Sequence, residues 1–264
     1  MRLLVASALA TVMVAGAAQA ADLPTKGPVY KAPVGAPFSW TGFYIGAQVG
    51  GGWGRKEWSD SFDPVLTNNN HTTGPDATYD VDGPLAGGLI GFNWQYGWTV
   101  FGVEADANWA DIKGTGTNDP GNITGPTSGG CLDQGPCTTK IDALGTITGR
   151  LGVAADRALF YAKGGAAWVR EKHTVGFHDP QFPNDPFSNY SGTTSQTRWG
   201  WTVGGGFEYA FANNWSAKIE YNYMDFGREQ VTFSFTPTQS FGTGGNLEQT
   251  MHVVKGGLNY RFSY

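Results

Sequence analysis

From Trp40 to the C-terminus, apolar side chains recur at every second position in runs of about a dozen residues, the period of a half-buried β-strand. Phe43, Ile45, Ala47, Val49 and Trp53 share one face of the first run, against Gly42, Tyr44, Gly46, Gln48 and Gly50. In the second, Ile90, Phe92, Trp94 and Tyr96 oppose Gly91, Asn93 and Gln95; in the third, Phe101, Val103, Ala105, Ala107 and Trp109 oppose Gly102, Glu104, Asp106 and Asn108. The fourth sets Ile141, Ala143, Ile147 and Leu151 against Asp142, Thr146, Thr148 and Arg150, and the fifth Phe160, Ala162, Ala166 and Trp168 against Tyr161 and Lys163. Trp199, Trp201, Val203, Phe207, Tyr209 and Phe211 then face away from Arg198, Thr202, Gly204, Gly206 and Glu208. The last two runs set Trp215, Ala217, Ile219, Tyr221 and Tyr223 against Lys218, Glu220 and Asn222, and Val254, Leu258, Tyr260, Phe262 and Tyr264 against Lys255, Asn259 and Arg261. Eight strands are predicted. The charge-free stretch from Gly83 to Val103 is long enough for a membrane helix, but its glycines, Asn93 and Gln95 disfavour one, and its alternation reads as a hairpin.

The connections alternate in length. Those after the first, third, fifth and seventh runs are long, roughly 20 to 30 residues, and rich in Gly, Asn, Asp, Pro, Ser and Thr. Those after the second, fourth and sixth are tight, near Tyr96-Gly97, Ala154-Ala155-Asp156-Arg157 and Ala212-Asn213-Asn214. Long loops on one side and short turns on the other characterise an outer-membrane barrel, and an even strand count leaves both termini on the short-turn, periplasmic side.

Alternation alone does not say which face is inside, because a soluble barrel alternates too. Composition decides. Rings occupy one face of nearly every strand, and ten tryptophans would overfill an eight-stranded barrel, whose interior just accommodates side chains. The rings therefore belong outside, and Trp53, Trp94, Tyr96, Trp98, Trp109, Trp168, Trp199, Tyr209, Phe211, Trp215 and Tyr260 lie near strand ends, where interfacial girdles form. The expected fold is all-β: an eight-stranded antiparallel up-and-down transmembrane β-barrel with short periplasmic turns and long extracellular loops. The polar face then points into the lumen, where Glu104, Asp106, Asp142, Glu208 and Glu220 meet Arg150, Lys163, Arg198, Lys218, Lys255 and Arg261. Charges withdrawn from water must pair, so an ion-pair ladder filling the lumen is expected in preference to an open pore.

The N-terminus carries Arg2, an apolar run from Leu3 to Ala18 and Ala18-Gln19-Ala20, the pattern of a signal peptide cleaved between Ala20 and Ala21; a membrane anchor is disfavoured by the short apolar stretch. Residues 1–20 are thus a leader, 21–39, with four prolines, an extended periplasmic tail that could touch peptidoglycan, and 40–264 the barrel domain. The formal charge of −5 becomes one unit more negative once Arg2 is removed, which argues against nucleic acid as a partner. Cys131 and Cys137, six residues apart in an exported polar segment, are expected to form a loop disulfide.

No catalytic constellation, metal site or cofactor is expected. His71, His173 and His178 fall in predicted loops, and His252 begins the last strand on its lipid-facing phase with no serine two positions on. His178-Asp179 lacks the further acidic partners that a protease of the omptin kind needs. Gly50-Gly51-Gly52 lacks the following helix of a phosphate loop and reads as relief of crowding. A loop ligand site for haem or a host molecule, built on His173, His178, Phe177, Phe182, Phe187 and Tyr190, is a separate expectation.

The segments Ser39-Trp-Thr-Gly-Phe-Tyr-Ile-Gly-Ala-Gln-Val-Gly-Gly50, Ala21-Asp-Leu-Pro24, Phe101-Gly-Val-Glu-Ala-Asp-Ala-Asn108 and His252-Val-Val-Lys-Gly-Gly-Leu-Asn-Tyr-Arg-Phe262 resemble alphaproteobacterial outer-membrane immunogenic proteins, porin-family surface antigens with an OmpA/OmpX-type barrel. The resemblance covers the strands of the mature chain but not its loops. It implies a surface protein contributing to envelope integrity, in contact with outer-membrane lipid and lipopolysaccharide; porin activity, host interaction and haem binding occur unevenly among such proteins. It also implies a C-terminal signal for the barrel-assembly machinery, here Leu258, Tyr260, Phe262 and Tyr264, with Ser263 as a slight departure.

Overall fold

The computed structural model describes residues 38–62, 75–116, 137–178, 189–233, 235–236 and 243–262. The expected signal-cleavage residues Ala20 and Ala21, together with Cys131 and Tyr264, lie outside them. Eight long strands form the wall: β1 (Gly42–Phe62), β2 (Pro75–Tyr96), β3 (Thr99–Gly116), β4 (Cys137–Ala155), β5 (Ala158–His178), β6 (Asn189–Tyr209), β7 (Trp215–Phe233) and β9 (Thr243–Arg261). The two-residue β8 (Phe235–Thr236) pairs with β6 beyond the end of the β6–β7 ladder. Each long strand pairs antiparallel with the long strands before and after it in the chain, β7 thus with β9, and β1 with β9 closes the ring.

The tight turns follow local chemistry. Gly97 (φ 61°) and Asp156 (φ 52°) each open a two-residue loop in the left-handed region, which glycine enters without strain and aspartate tolerates better than most residues. Close approach explains other glycines. A Cβ at Gly91 would lie 2.3 Å from the Tyr44 ring, and one at Gly50 would lie 2.1 Å from the Val254 carbonyl oxygen, so neither position has room for a side chain.

The strands run 18 to 22 residues, about twice the 9–11 that cross a bilayer. On the short-turn half the outward face is apolar, with Phe43, Ile45, Val49, Phe101, Val103, Ile147, Leu151, Phe160 and Ile219 all exposed. Trp94, Trp98, Phe211 and Trp215 ring its lower edge; Trp53, Trp109 and Trp199 ring its upper edge, Trp109 with 77% of its surface exposed. Past that upper ring the outward positions turn charged: Arg55, Asp80, Asp111, Lys113, Lys140, Arg170 and Lys172. The wall therefore rises from an apolar belt into a polar collar. Sequence periodicity ends each strand near the upper tryptophans and assigns the collar to loops; the strands continue because the period persists while the polarity of its faces inverts.

Candidate functional site

Inside the belt, four carboxylates meet four cations, each essentially inaccessible to solvent. Glu104 of β3 sits at the centre. It accepts hydrogen bonds from Lys163 (2.7 Å), Lys218 (3.2 Å), the Tyr44 hydroxyl (3.0 Å) and, at 3.5 Å, Arg150. Glu220 of β7 shares Lys163 (3.0 Å) and Lys218 (3.3 Å), lies 3.2 Å from Lys255, and accepts from Tyr161 (2.9 Å) and Asn222 (2.7 Å). Lys255 also reaches Asp106 (3.3 Å), which further accepts from Thr146, Asn108 and Gln48. At the turn end Arg150 donates to Glu208 (3.0 Å), its guanidinium lying 3.8 Å from the centre of the Tyr161 ring. Charges balance within the group, which is the condition under which buried ions are tolerated, since each one's desolvation costs several kcal/mol.

Two further layers flank this network. Toward the periplasmic mouth, Trp40 is buried with Val100, Ala154, Leu159, Tyr161 and Ala210; its indole N–H donates to the Asp156 carbonyl (3.1 Å). Phe38 packs against it beneath the Arg261 guanidinium, 4.2 Å away. Toward the loops, Leu85, Ile112, Ile141, Leu144, Val169, Met224, Met251 and Val253 form an apolar layer across the barrel. Above that, Glu171 of β5 pairs with Lys56 and lies 3.4 Å from Arg198, which also reaches Glu229 (3.0 Å) and the Phe226, Gly227 and Leu247 carbonyls.

Of the eleven charges expected in the lumen, the structure gathers Glu104, Asp106, Arg150, Lys163, Glu208, Lys218, Glu220 and Lys255 into one network. The other three lie elsewhere. Asp142 points outward and pairs with exposed Arg170 (2.7 Å), because the β4–β5 register passes from Ile141–Glu171 to Ala143–Arg170 and skips it. That extra residue reverses the inward phase on β4, turning Ile141 into the core. Arg198 is buried but belongs to the collar cluster. Arg261 is half-buried at the periplasmic rim, where its Nη2 donates to the Asn213 carbonyl (2.7 Å).

His173, expected in a loop, is instead buried in β5, hydrogen-bonded to Thr139 (2.9 Å) and edge-on to Trp58. Its ring is buried inside the barrel, with Nε2 3.4 Å from Glu171, so it does not stand in a loop open to a haem or host ligand; His178 ends β5. Lys56, Glu171 and Glu229 were missed by sequence reasoning, although Val169, Glu171 and His173 alternating with Arg170, Lys172 and Thr174 carry the signal. His252 lies on the lipid-facing side, stacked on Trp53 and hydrogen-bonded to Tyr221 (2.7 Å). Leu258 is exposed on β9 and Phe262 just past its end, Tyr260 is half-buried beside Trp215, and Cys137 begins β4. No group of three or more metal-ligating side chains occurs among the described residues.

The sequence matches, over residues 6–262, the model of a family described as the outer membrane protein beta-barrel domain. It is 35% identical over 261 residues to the 31 kDa outer-membrane immunogenic protein of Brucella melitensis, covering 95% of both chains. It is also 31% identical over 196 residues to the 22 kDa outer membrane protein of Rhizobium leguminosarum, covering 74% of this chain and 69% of that one. Among solved structures it is similar to the outer membrane protease OmpT of Escherichia coli, with a TM-score of 0.52 at 8% identity over 84% of this chain and 97% of that one. A likeness at that identity concerns the fold alone.

Proposed function

This chain belongs to the outer membrane protein β-barrel family, and from that premise we propose that it is a structural barrel of the outer membrane and a surface antigen, with a lumen that passes no solute. One observation carries the reading: the balanced network of Glu104, Asp106, Glu208 and Glu220 with Arg150, Lys163, Lys218 and Lys255 lies beneath an apolar layer that would dehydrate any ion crossing it. The Brucella melitensis relative is named an immunogenic protein, which supports the antigen role. The test is single-channel recording on the refolded monomer in a planar bilayer. Silence is expected; steady conductance steps would overturn the closed lumen and favour a small-solute porin.

Two finer features belong to the same reading. The alternating C-terminal residues Leu258, Tyr260, Phe262 and Tyr264 are the signal offered to the barrel-assembly machinery, so deletion of Tyr264 should slow assembly; unchanged kinetics and yield would remove that role. In the same reading Cys131 and Cys137 are joined by a disulfide, which predicts a gain of two hydrogens per chain on reduction, read by intact mass.

A further inference from the structure

The collar carries an arrangement that the closed barrel does not need. Lys113, Lys140 and Lys172 stand directly opposite one another on β3, β4 and β5, all pointing outward. Cross-strand neighbours of this kind have Cβ atoms about 5 Å apart, and like charges so placed are destabilising. Asp111 takes hydrogen bonds from Lys113 (2.9 Å) and lies 3.3 Å from Lys140, whereas Lys172 has no ion pair among the described residues. Arg170 stands one outward position below Lys172 and is held by Asp142. The row ends at Asp82 on β2, the partner of Lys113, and at Ser195 on β6, the partner of Lys172. The hydrogen bond from Lys113, foremost, holds the Asp111 carboxyl below its ordinary range, so the lysine field is felt even in this exposed setting.

Charge around the collar is uneven. On the other side Glu57 and Glu248 are themselves direct cross-strand partners, with Asp225 and Glu229 on the neighbouring β7 opposite Thr250 and Leu247, and Arg55 and Arg228 already paired to Asp80 and Glu248. The cationic row lies only two outward positions above Trp109 on β3 and above Trp168 on β5, at the level where lipid headgroups meet water.

We propose that the outward face of β3–β5 binds the phosphorylated headgroup of an outer-leaflet lipopolysaccharide, with Lys113, Lys140 and Lys172 donating to phosphate oxygens while the acyl chains lie along the apolar belt beneath Trp109. An anion on the row converts a repulsive alignment into an attractive one. Lysines suit this ligand because each is a point charge with freely rotating donors on a flexible stem, able to follow a mobile headgroup without the fixed fork of arginine. The site rests on the outer-membrane placement alone and is independent of whether the lumen conducts.

The experiment titrates bisphosphorylated lipid A, and the same lipid stripped of phosphate, against the full folded barrel in detergent, reading bound lipid by native mass spectrometry. The triple variant K113Q/K140Q/K172Q is expected to bind bisphosphorylated lipid A at least tenfold more weakly. The opposite-face variant R55Q/R228Q should bind it as the unaltered protein does, and the dephosphorylated lipid should bind weakly to all three. Heat-modifiable mobility on a gel reports that each barrel is folded. Should the triple variant not fold, Lys172→Gln alone, which breaks no ion pair among the described residues, is expected to lose about threefold. Undiminished binding by the lysine variants, equal binding of the dephosphorylated lipid, or an equal loss in R55Q/R228Q would each overturn the site.

Discussion

Below the upper tryptophan ring, the wall of this barrel turns Phe101, Val103 and Ile147 outward and Glu104, Asp106 and Arg150 inward. Above it, the same strands turn Lys113, Lys140 and Arg170 outward and Ile112, Ile141 and Val169 inward. Hydrogen-bonded ladders run through both halves. What changes is the medium outside, hydrocarbon below and water above, and with it the chemistry that each face can hold. The lower half accepts buried charge because eight ions neutralise one another; the upper half has an apolar layer capped by the smaller buried cluster of Lys56, Glu171 and Arg198, and a solvated outer surface.

That contrast can be broken in several ways, the largest at the centre of the network. Glu104→Gln leaves Lys163, Lys218 and Arg150 short of a counter-charge and should cost about 3–5 kcal/mol, measured by urea unfolding in lipid vesicles. A cost below about 1 kcal/mol would mean that water screens the lumen. In the collar, Ile112→Ala removes a fully buried side chain and should cost about 2–5 kcal/mol by the same measurement. The outward faces supply a matched pair. Val103→Lys, in mid-belt, should cost about 2–4 kcal/mol, whereas Lys113→Val in the collar should stay within about 0.5 kcal/mol. Equal costs for the two would refute the division into belt and collar. A comparably small effect is expected at Asp142→Ala, whose exposed pair with Arg170 is worth about 0–1 kcal/mol. A loss of several kcal/mol there would restore Asp142 to the lumen.

Much of this was legible residue by residue. Glu104, Arg150, Lys163, Lys218 and Lys255 lie in phase with the glycines and threonines of their strands, and no irregularity separates them from the aromatic positions that mark the opposite face. Asp142 was misread because one extra residue in β4 reverses the phase, and nothing in Lys140-Ile-Asp-Ala-Leu144 announces it. Arg261 was misread because phase says which way a side chain starts and not where the lumen ends. His173 was misread because its stretch is polar on the outward phase, which resembles a loop when the expected outside is apolar.

The sequence by itself determined the strand period, the number of long strands, the alternation of long and short connections and the outward placement of most of the rings, since each depends on local spacing or on side-chain volume. Trp40, Tyr44, Trp58 and Tyr161 are among the rings that the structure buries inside. Tertiary structure alone decided which charges meet. Lys255 reaches Asp106 from 149 residues away and Lys218 reaches Glu104 from 114, distances bridged only when β1 pairs with β9 and the register of every ladder around the ring is set. It also decided how far the strands rise past the membrane, because a pattern whose inner and outer chemistries exchange at the waterline is recognisable as one wall only after the hydrogen bonds have joined it.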